Sequence, residues 1–176
     1  KATAKSAIAA AEHLGVQLKI ITGDSAEVAA TVAQRAGLID RPAVLLGEHL
    51  MTMSPEAQSA AVEQYHVFAR VAPAQKFRII ELLRHNHQVG YLGEGINDAP
   101  ALKESNLSIV VDTASDIARA NADVILLQSD LSVIVEGIRL GREVFTNTIK
   151  YIRSTLLSNF GNFYAVAFAS LLISYP

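Results

Sequence analysis

Short apolar runs, each followed by a polar turn and then by a helix-like segment, recur along most of this chain. That alternation constrains the fold more than any other feature. A helical pattern over residues 7–14 closes at Gly15, residues 16–21 read as a buried strand, and Thr22-Gly23-Asp24-Ser25 turns into a helix over 27–36 that Gly37 stops. A short strand over 43–46, a loop over 51–55, a helix over 55–64 capped by Ser54 and a strand over 65–71 come next. Pro73 opens a helix over 74–87, residues 88–92 form a strand, and the turn over 93–100 enters a helix that runs through Glu104. A strand over 107–111, a helix over 114–121 and a strand over 124–128 complete the alternation. Strands separated by helices pair in parallel and are covered on both faces, so the expected class is α/β with a doubly wound parallel sheet.

From Leu131 a helical pattern runs to Ser174, far longer than an ordinary domain helix. Its last part is free of charge: after Arg153, residues 154–176 contain no Asp, Glu, Lys, Arg or His. Residues 156–175 are about 30 Å long as a helix, the thickness of a bilayer's hydrocarbon core. The expected organisation is therefore an α/β portion over 1–130, a stalk helix over 131–153 and a transmembrane helix over 154–176. The competing reading of the tail is a buried amphipathic helix, because Ser158, Asn159, Asn162 and Ser170 make it more polar than a simple anchor. A start at Lys1 without Met or signal peptide leads us to expect a piece of a longer protein.

Composition narrows the function. With 51% hydrophobic and 18% charged residues in 176, the chain is not of the disordered class. A formal net charge of −2 gives no general footprint for nucleic acid, and the absence of cysteine excludes thiol chemistry and cysteine metal sites.

In a doubly wound sheet, ligands gather at the carboxyl ends of the strands. Three polar clusters are expected there: Thr22-Gly23-Asp24, Arg70 with Lys76, and Gly93-Glu94-Gly95-Ile96-Asn97-Asp98. A hydroxyl and free amides at a glycine turn suit a phosphate, and a lysine at a helix start adds a point charge. Carboxylates in a glycine-rich loop can help hold Mg²⁺, which keeps phosphate and water among its ligands. Thr-Gly-Asp is also a common helix cap and a lone lysine is usually a solvated charge. The loop over 93–103, with two glycines, several acid or amide groups and a helix-starting Pro100, is harder to explain as a turn alone.

Residues 93–103, Gly-Glu-Gly-Ile-Asn-Asp-Ala-Pro-Ala-Leu-Lys, resemble the Gly-Asp-Gly-x-Asn-Asp-x-Pro-Ala-Leu-Lys signature of P-type cation-transporting ATPases, differing at Glu94. Lys19-Ile-Ile-Thr-Gly-Asp24 is similar to that family's Thr-Gly-Asp motif, and Phe68-Ala-Arg-Val-Ala-Pro-Ala-Gln-Lys76 to the segment bearing its phosphate-binding lysine. Residues 112–127 and 150–162 look most like the bacterial magnesium-transporting branch.

The resemblance implies a haloacid-dehalogenase-like Rossmannoid fold, with ATP as substrate and Mg²⁺ as cofactor. It assigns catalytic roles to Thr22, Lys76 and Asp98, and cofactor binding to Thr22, Gly23, Asp24, Arg70, Lys76 and Asn97. Glu94 and Asp98 are the expected metal groups, and Asn159 and Asn162 are candidates to face an ion path or to pack helices. Implied partners are ATP, the transported cation, lipid and the remaining nucleotide-binding, actuator and membrane domains of the same pump. The implied location is a multi-pass bacterial inner membrane, with residues 1–153 on the cytoplasmic side.

Two departures qualify this. The sequence contains no Asp-Lys-Thr-Gly, the family's phosphorylated motif, so the piece alone is expected to be inactive. Glu94 carries one more methylene than the aspartate it replaces, which predicts weakened Mg²⁺ use because that ion demands near-ideal octahedral geometry. The alternatives are a non-catalytic remnant or binding protein, and a haloacid-dehalogenase-type phosphatase without its nucleophile segment.

Overall fold

The computed structural model describes residues 2–173. Ser174, the expected end of the long helix, and the last two residues of the expected transmembrane segment lie outside them, as does Lys1. Two compact units divide the chain, one up to Val135 and one from Glu136.

The first unit alternates as the sequence pattern predicts. Its elements are α1 (Ala2–His13), β1 (Ile20–Ile21), α2 (Ala26–Ala36), β2 (Leu45–Leu46), α3 (Gly47–Thr52), α4 (Pro55–Gln64), β3 (Val67–Ala69), α5 (Pro73–Arg84), β4 (Gly90–Gly93), α6 (Ala99–Glu104), β5 (Leu107–Val111), α7 (Asp116–Ala120) and β6 (Val124–Leu126). A single 3₁₀ turn, Ile96–Asp98, joins β4 to α6. Local chemistry sets the boundaries: Ser25, Ser54 and Ser115 cap α2, α4 and α7 by accepting the amides of Val28, Ala57 and Ala118. Gly15 and Gly37, with φ of 69° and 78°, end α1 and α2 in the left-handed conformation that glycine adopts without a Cβ penalty.

All strand pairs are parallel, but they form two three-stranded sheets rather than one continuous sheet. The orders are β1-β3-β2 and β4-β5-β6. Among the described residues β1 pairs only with β3 and β4 only with β5, so each presents one unpaired edge. Ile21 and Val89 nevertheless pack against the cores of both sheets.

Alternation along β3 shows how the first sheet is covered. Val67 and Ala69 meet Ala29 and Ala33 of α2, while Phe68 enters a cluster with Leu50, Val62, Ile79 and Leu83 from α3, α4 and α5. Phe68 and Ile79 are fully buried, worth about 1.5–3 kcal/mol each in apolar transfer. Beside the second sheet, Ile80, Tyr91, Leu102, Val110 and Ala118 form another cluster. Most expected boundaries shift. Residues 16–19 lie outside β1, the strand expected over 65–71 is trimmed to three residues, α1 begins at Ala2 rather than at residue 7, α5 ends at Arg84 rather than at 87, and α3 occupies residues 47–50, given no element, together with Met51 and Thr52 of the expected loop.

In the second unit, residues 136–172 continue α8 (Leu131–Leu172), whose described residues include none that is buried. Phe160, Phe163, Val166 and Leu171 are all more than half exposed. By length and composition this helix is long and apolar enough to cross a membrane.

Candidate functional site

Backbone geometry brings the three polar clusters to the carboxyl ends of β1, β3 and β4. The Val71 amide donates to the Thr22 carbonyl at 3.0 Å and the Arg70 amide to the Asp24 carbonyl at 2.9 Å, lacing the loop after β1 to the loop after β3. Thr22 Oγ1 accepts the Asp24 amide at 3.1 Å, which closes the turn over Gly23. Arg70 makes this path with φ of 50°, the one non-glycine residue at positive φ among those described. Such a conformation persists only where surrounding bonds hold it.

Lys76 sits in the first turn of α5, whose start is set by Pro73 and by Gln75 Oε1 accepting the Ala72 amide at 2.8 Å. Its ammonium reaches across to Asp98, at the end of the 3₁₀ turn, with Nζ 2.7 Å from Oδ1. Both side chains are nearly buried, 16% and 10% exposed. The same Oδ1 accepts the Tyr91 hydroxyl at 2.9 Å, while Oδ2 accepts the amides of Glu94 and Gly95, each at 3.2 Å.

Burial opposes ionisation of Asp98, but the Lys76 ammonium, the Glu94 amide, the Tyr91 hydroxyl and the Gly95 amide outweigh it and hold the carboxyl below its ordinary range. Burial first, then the charge of Asp98 and the hydrogen bond to it, push the Tyr91 phenol upward, so it remains a donor at neutral pH.

A cavity of about 290 Å³ opens at this point, lined by Ile21 and Thr22 from the β1 end, Lys76 from α5, Tyr91 to Glu94 from the β4 end, Asp98 and Val111. Of the expected site residues, Thr22, Lys76, Glu94 and Asp98 line it. Gly23, Asp24, Arg70 and Asn97 do not, although the first three lie in the laced loops beside Thr22. Asn97 is exposed. Asn159 and Asn162 belong to α8 and the second unit.

Tyr91 is not among the sequence candidates. Its signal is available in the alternation of β4, which places a residue with a polar tip two positions before Gly93 on the buried face.

Among the described residues no group of three or more His, Asp and Glu side chains is arranged to hold a metal ion. Glu94 is exposed at the cavity and its carboxylate is available to a cation. The four acceptor positions of Asp98 are met by donors of the chain itself. A magnesium ion placed here would meet Glu94 as one part of a ligand set that phosphate, water and groups from elsewhere would have to complete.

A family model for haloacid dehalogenase-like hydrolases matches residues 1–106. The chain is 46% identical, over 99% of its length, to "Magnesium-transporting ATPase, P-type 1" of Salmonella typhimurium (strain LT2), and covers 19% of that protein. It is 39% identical over 92% of its length to "Probable cation-transporting ATPase F" of Mycobacterium tuberculosis (strain H37Rv), again covering 19%. A crystal structure of a zinc-transporting PIB-type ATPase superposes with a TM-score of 0.67 at 28% identity, over 86% of this chain and 21% of that one. The chain thus spans about a fifth of the length of the curated relatives it matches. With its parallel sheets, its laced loops and a family model matched over more than half its length, the chain belongs to the haloacid dehalogenase-like hydrolases, and its relatives among them are P-type ATPases.

Proposed function

We propose that this chain is a segment of an ATP-driven P-type cation transporter, with Mg²⁺ as the transported ion, and that it supplies one side of the phosphoryl-transfer site. The observation that carries the reading is the Lys76–Asp98 pair at 2.7 Å, beside a cavity bordered by the ends of two strands with unpaired edges. One further parallel strand between β1 and β4 would complete the sheet. Its carboxyl end would present the phosphorylated aspartate to Thr22 and Lys76.

In this reading the γ-phosphoryl leaves ATP for that carboxylate and water later releases it, splitting hydrolysis into two steps. Lys76 keeps two of its three N–H donors beyond the Asp98 bond and opposes the charge on the phosphoryl oxygens. Thr22 offers its hydroxyl and the following turn its amides. Asp98 keeps the ammonium at the cavity wall. Gly23, Asp24, Arg70 and Asn97 are assigned to the nucleotide and phosphate side. Bound Mg²⁺ would supply neutralisation of the phosphate oxygens, with Glu94 as its contact in this chain.

Residues 154–176 are assigned to the first membrane helix after the catalytic head and residues 131–153 to a stalk, in a protein that crosses the membrane more than once. The magnesium assignment is supported by the relatives of that name.

The test uses the intact protein that contains this chain, assayed for ATPase activity across Mg²⁺, Ca²⁺, Mn²⁺ and K⁺, with Lys76→Met alongside. Stimulation by Mg²⁺ as cargo, lost in K76M by two or more orders of magnitude, is the expected result. Activity indifferent to K76M would overturn the site assignment, and stimulation by another ion alone would overturn the cargo. Replacing Glu94 by Asp should raise Mg²⁺ affinity for phosphoenzyme formation if the longer side chain is a handicap.

A further inference from the structure

We propose that Tyr91 is a positioning residue that keeps Asp98 bound to Lys76 and closed to a divalent cation, leaving Glu94 as the carboxylate of this loop that meets the metal. The inference rests on the magnesium and phosphoryl reading above and deepens it. A carboxylate offers about four lone-pair positions. On Asp98 two are taken by the amides of Glu94 and Gly95 and one by Lys76 Nζ; the Tyr91 hydroxyl fills the fourth at 2.9 Å.

That hydroxyl is separable from the rest. The ring stands on β4, where alternation buries Tyr91 and Gly93 and exposes Gly90 and Leu92, and a phenylalanine would occupy the same space. Its edge lies so near Gly93 that a Cβ there would meet Tyr91 Cε1 at 3.1 Å. Packing therefore fixes where the oxygen points, and the oxygen's bond to Asp98 Oδ1 is its contribution to the site. A cation approaching Asp98 Oδ1 has to displace either this hydroxyl or the Lys76 ammonium.

Glu94 differs: its amide is engaged by Asp98 while its side chain is exposed at the cavity. One residue of the loop is thereby committed to holding the lysine and its neighbour to the metal.

The experiment titrates the full 176-residue chain in detergent micelles with Mn²⁺, reading free ion by electron paramagnetic resonance, with circular dichroism to confirm the fold. Wild type, Y91F, Y91F/D98N, D98N and E94Q are compared. Removing one charge-assisted hydrogen bond from Asp98 should let Y91F bind Mn²⁺ roughly tenfold more tightly than wild type. The gain should vanish when Y91F is compared with its parent in the D98N background, and E94Q should weaken binding.

Affinity unchanged or reduced in Y91F, with E94Q still weakening binding, would overturn the role of Tyr91 and leave the metal reading intact. A Y91F gain that persists without Asp98 would overturn it as well. Identical binding by wild type and E94Q would overturn the metal reading and this inference with it.

Discussion

Gly93→Ala tests the site through space rather than charge. A Cβ built at Gly93 falls 2.8 Å from Asp98 Cβ, 3.1 Å from Tyr91 Cε1 and 3.3 Å from Asp98 Cγ. Carbon atoms rest at about 3.5–4.0 Å, so Asp98 has to retreat by roughly 1 Å and Tyr91 by somewhat less. Two of the bonds on Asp98 already stand at 3.2 Å, and lengthening them by that much removes them. Overpacking costs about 1–3 kcal/mol and each bond to a charged group about 1.5–3 kcal/mol, terms that are not additive because one displacement causes the crowding and both losses. We expect a loss of about 3 kcal/mol, or a fall in melting temperature of about 6–12 °C for a unit of this size.

Thermal unfolding of the full chain in detergent, followed by near-ultraviolet circular dichroism, measures it. Gly95→Ala is the internal control: its Cβ would find Asp98 Oδ2 at 3.8 Å and the Asn97 amide nitrogen at 3.9 Å, which is ordinary contact. The control should melt within a few degrees of wild type. If G93A melts with G95A, crowding around Asp98 does not limit the site, and the close packing of Gly93, Tyr91 and Asp98 is not what holds the carboxylate in place.

Two further outcomes follow, one from the charge of Asp98 and one from α8. The Asp98 carboxyl ionises more readily in the folded chain than in the unfolded one, so its stabilisation is present above about pH 4 and is lost as pH falls through the lower folded value. Asp98→Asn should therefore lower stability at pH 7 by about 1.5–3 kcal/mol and flatten the acid limb of a melting-temperature profile; an unchanged acid limb would remove Asp98 as its source. In α8, Val166→Arg should oppose membrane insertion by about 2.5–3.5 kcal/mol, read by glycosylation mapping of the helix in microsomes, and equal insertion of both forms would refute a spanning role.

The strand–turn–helix order was legible because each strand is short, apolar and followed by a marked turn, and β5 needed no adjustment at either end. Residues 16–19 show what pattern reading misses. They are apolar enough for a strand, yet the parallel partner β3 offers pairing only from Val67 onward, opposite Ile20. The division into two sheets was equally hidden, since hydropathy identifies strands without saying which edges meet.

At the site, motif chemistry pointed to Lys76 and Asp98 but not to their mutual bond, which depends on how α5 is placed against the 3₁₀ turn. Tyr91 escaped because an aromatic residue in a buried strand reads as core, and it is core; its tip alone belongs to the site. Asn97, named for its place in the same loop, is exposed and lies outside the cavity lining.

The unpaired edges of β1 and β4 also bear on how such a protein is made. A parallel strand cannot join by a hairpin; it arrives through a crossover, from sequence remote from its neighbours. In the proposed transporter, until such a strand arrives, two rows of backbone donors and acceptors stand open to strands of other chains, a route to aggregation. Closing that seam is a non-local contact of the kind that slows folding, so the segment that completes the chemistry would also be the one that makes the nascent sheet safe from its neighbours.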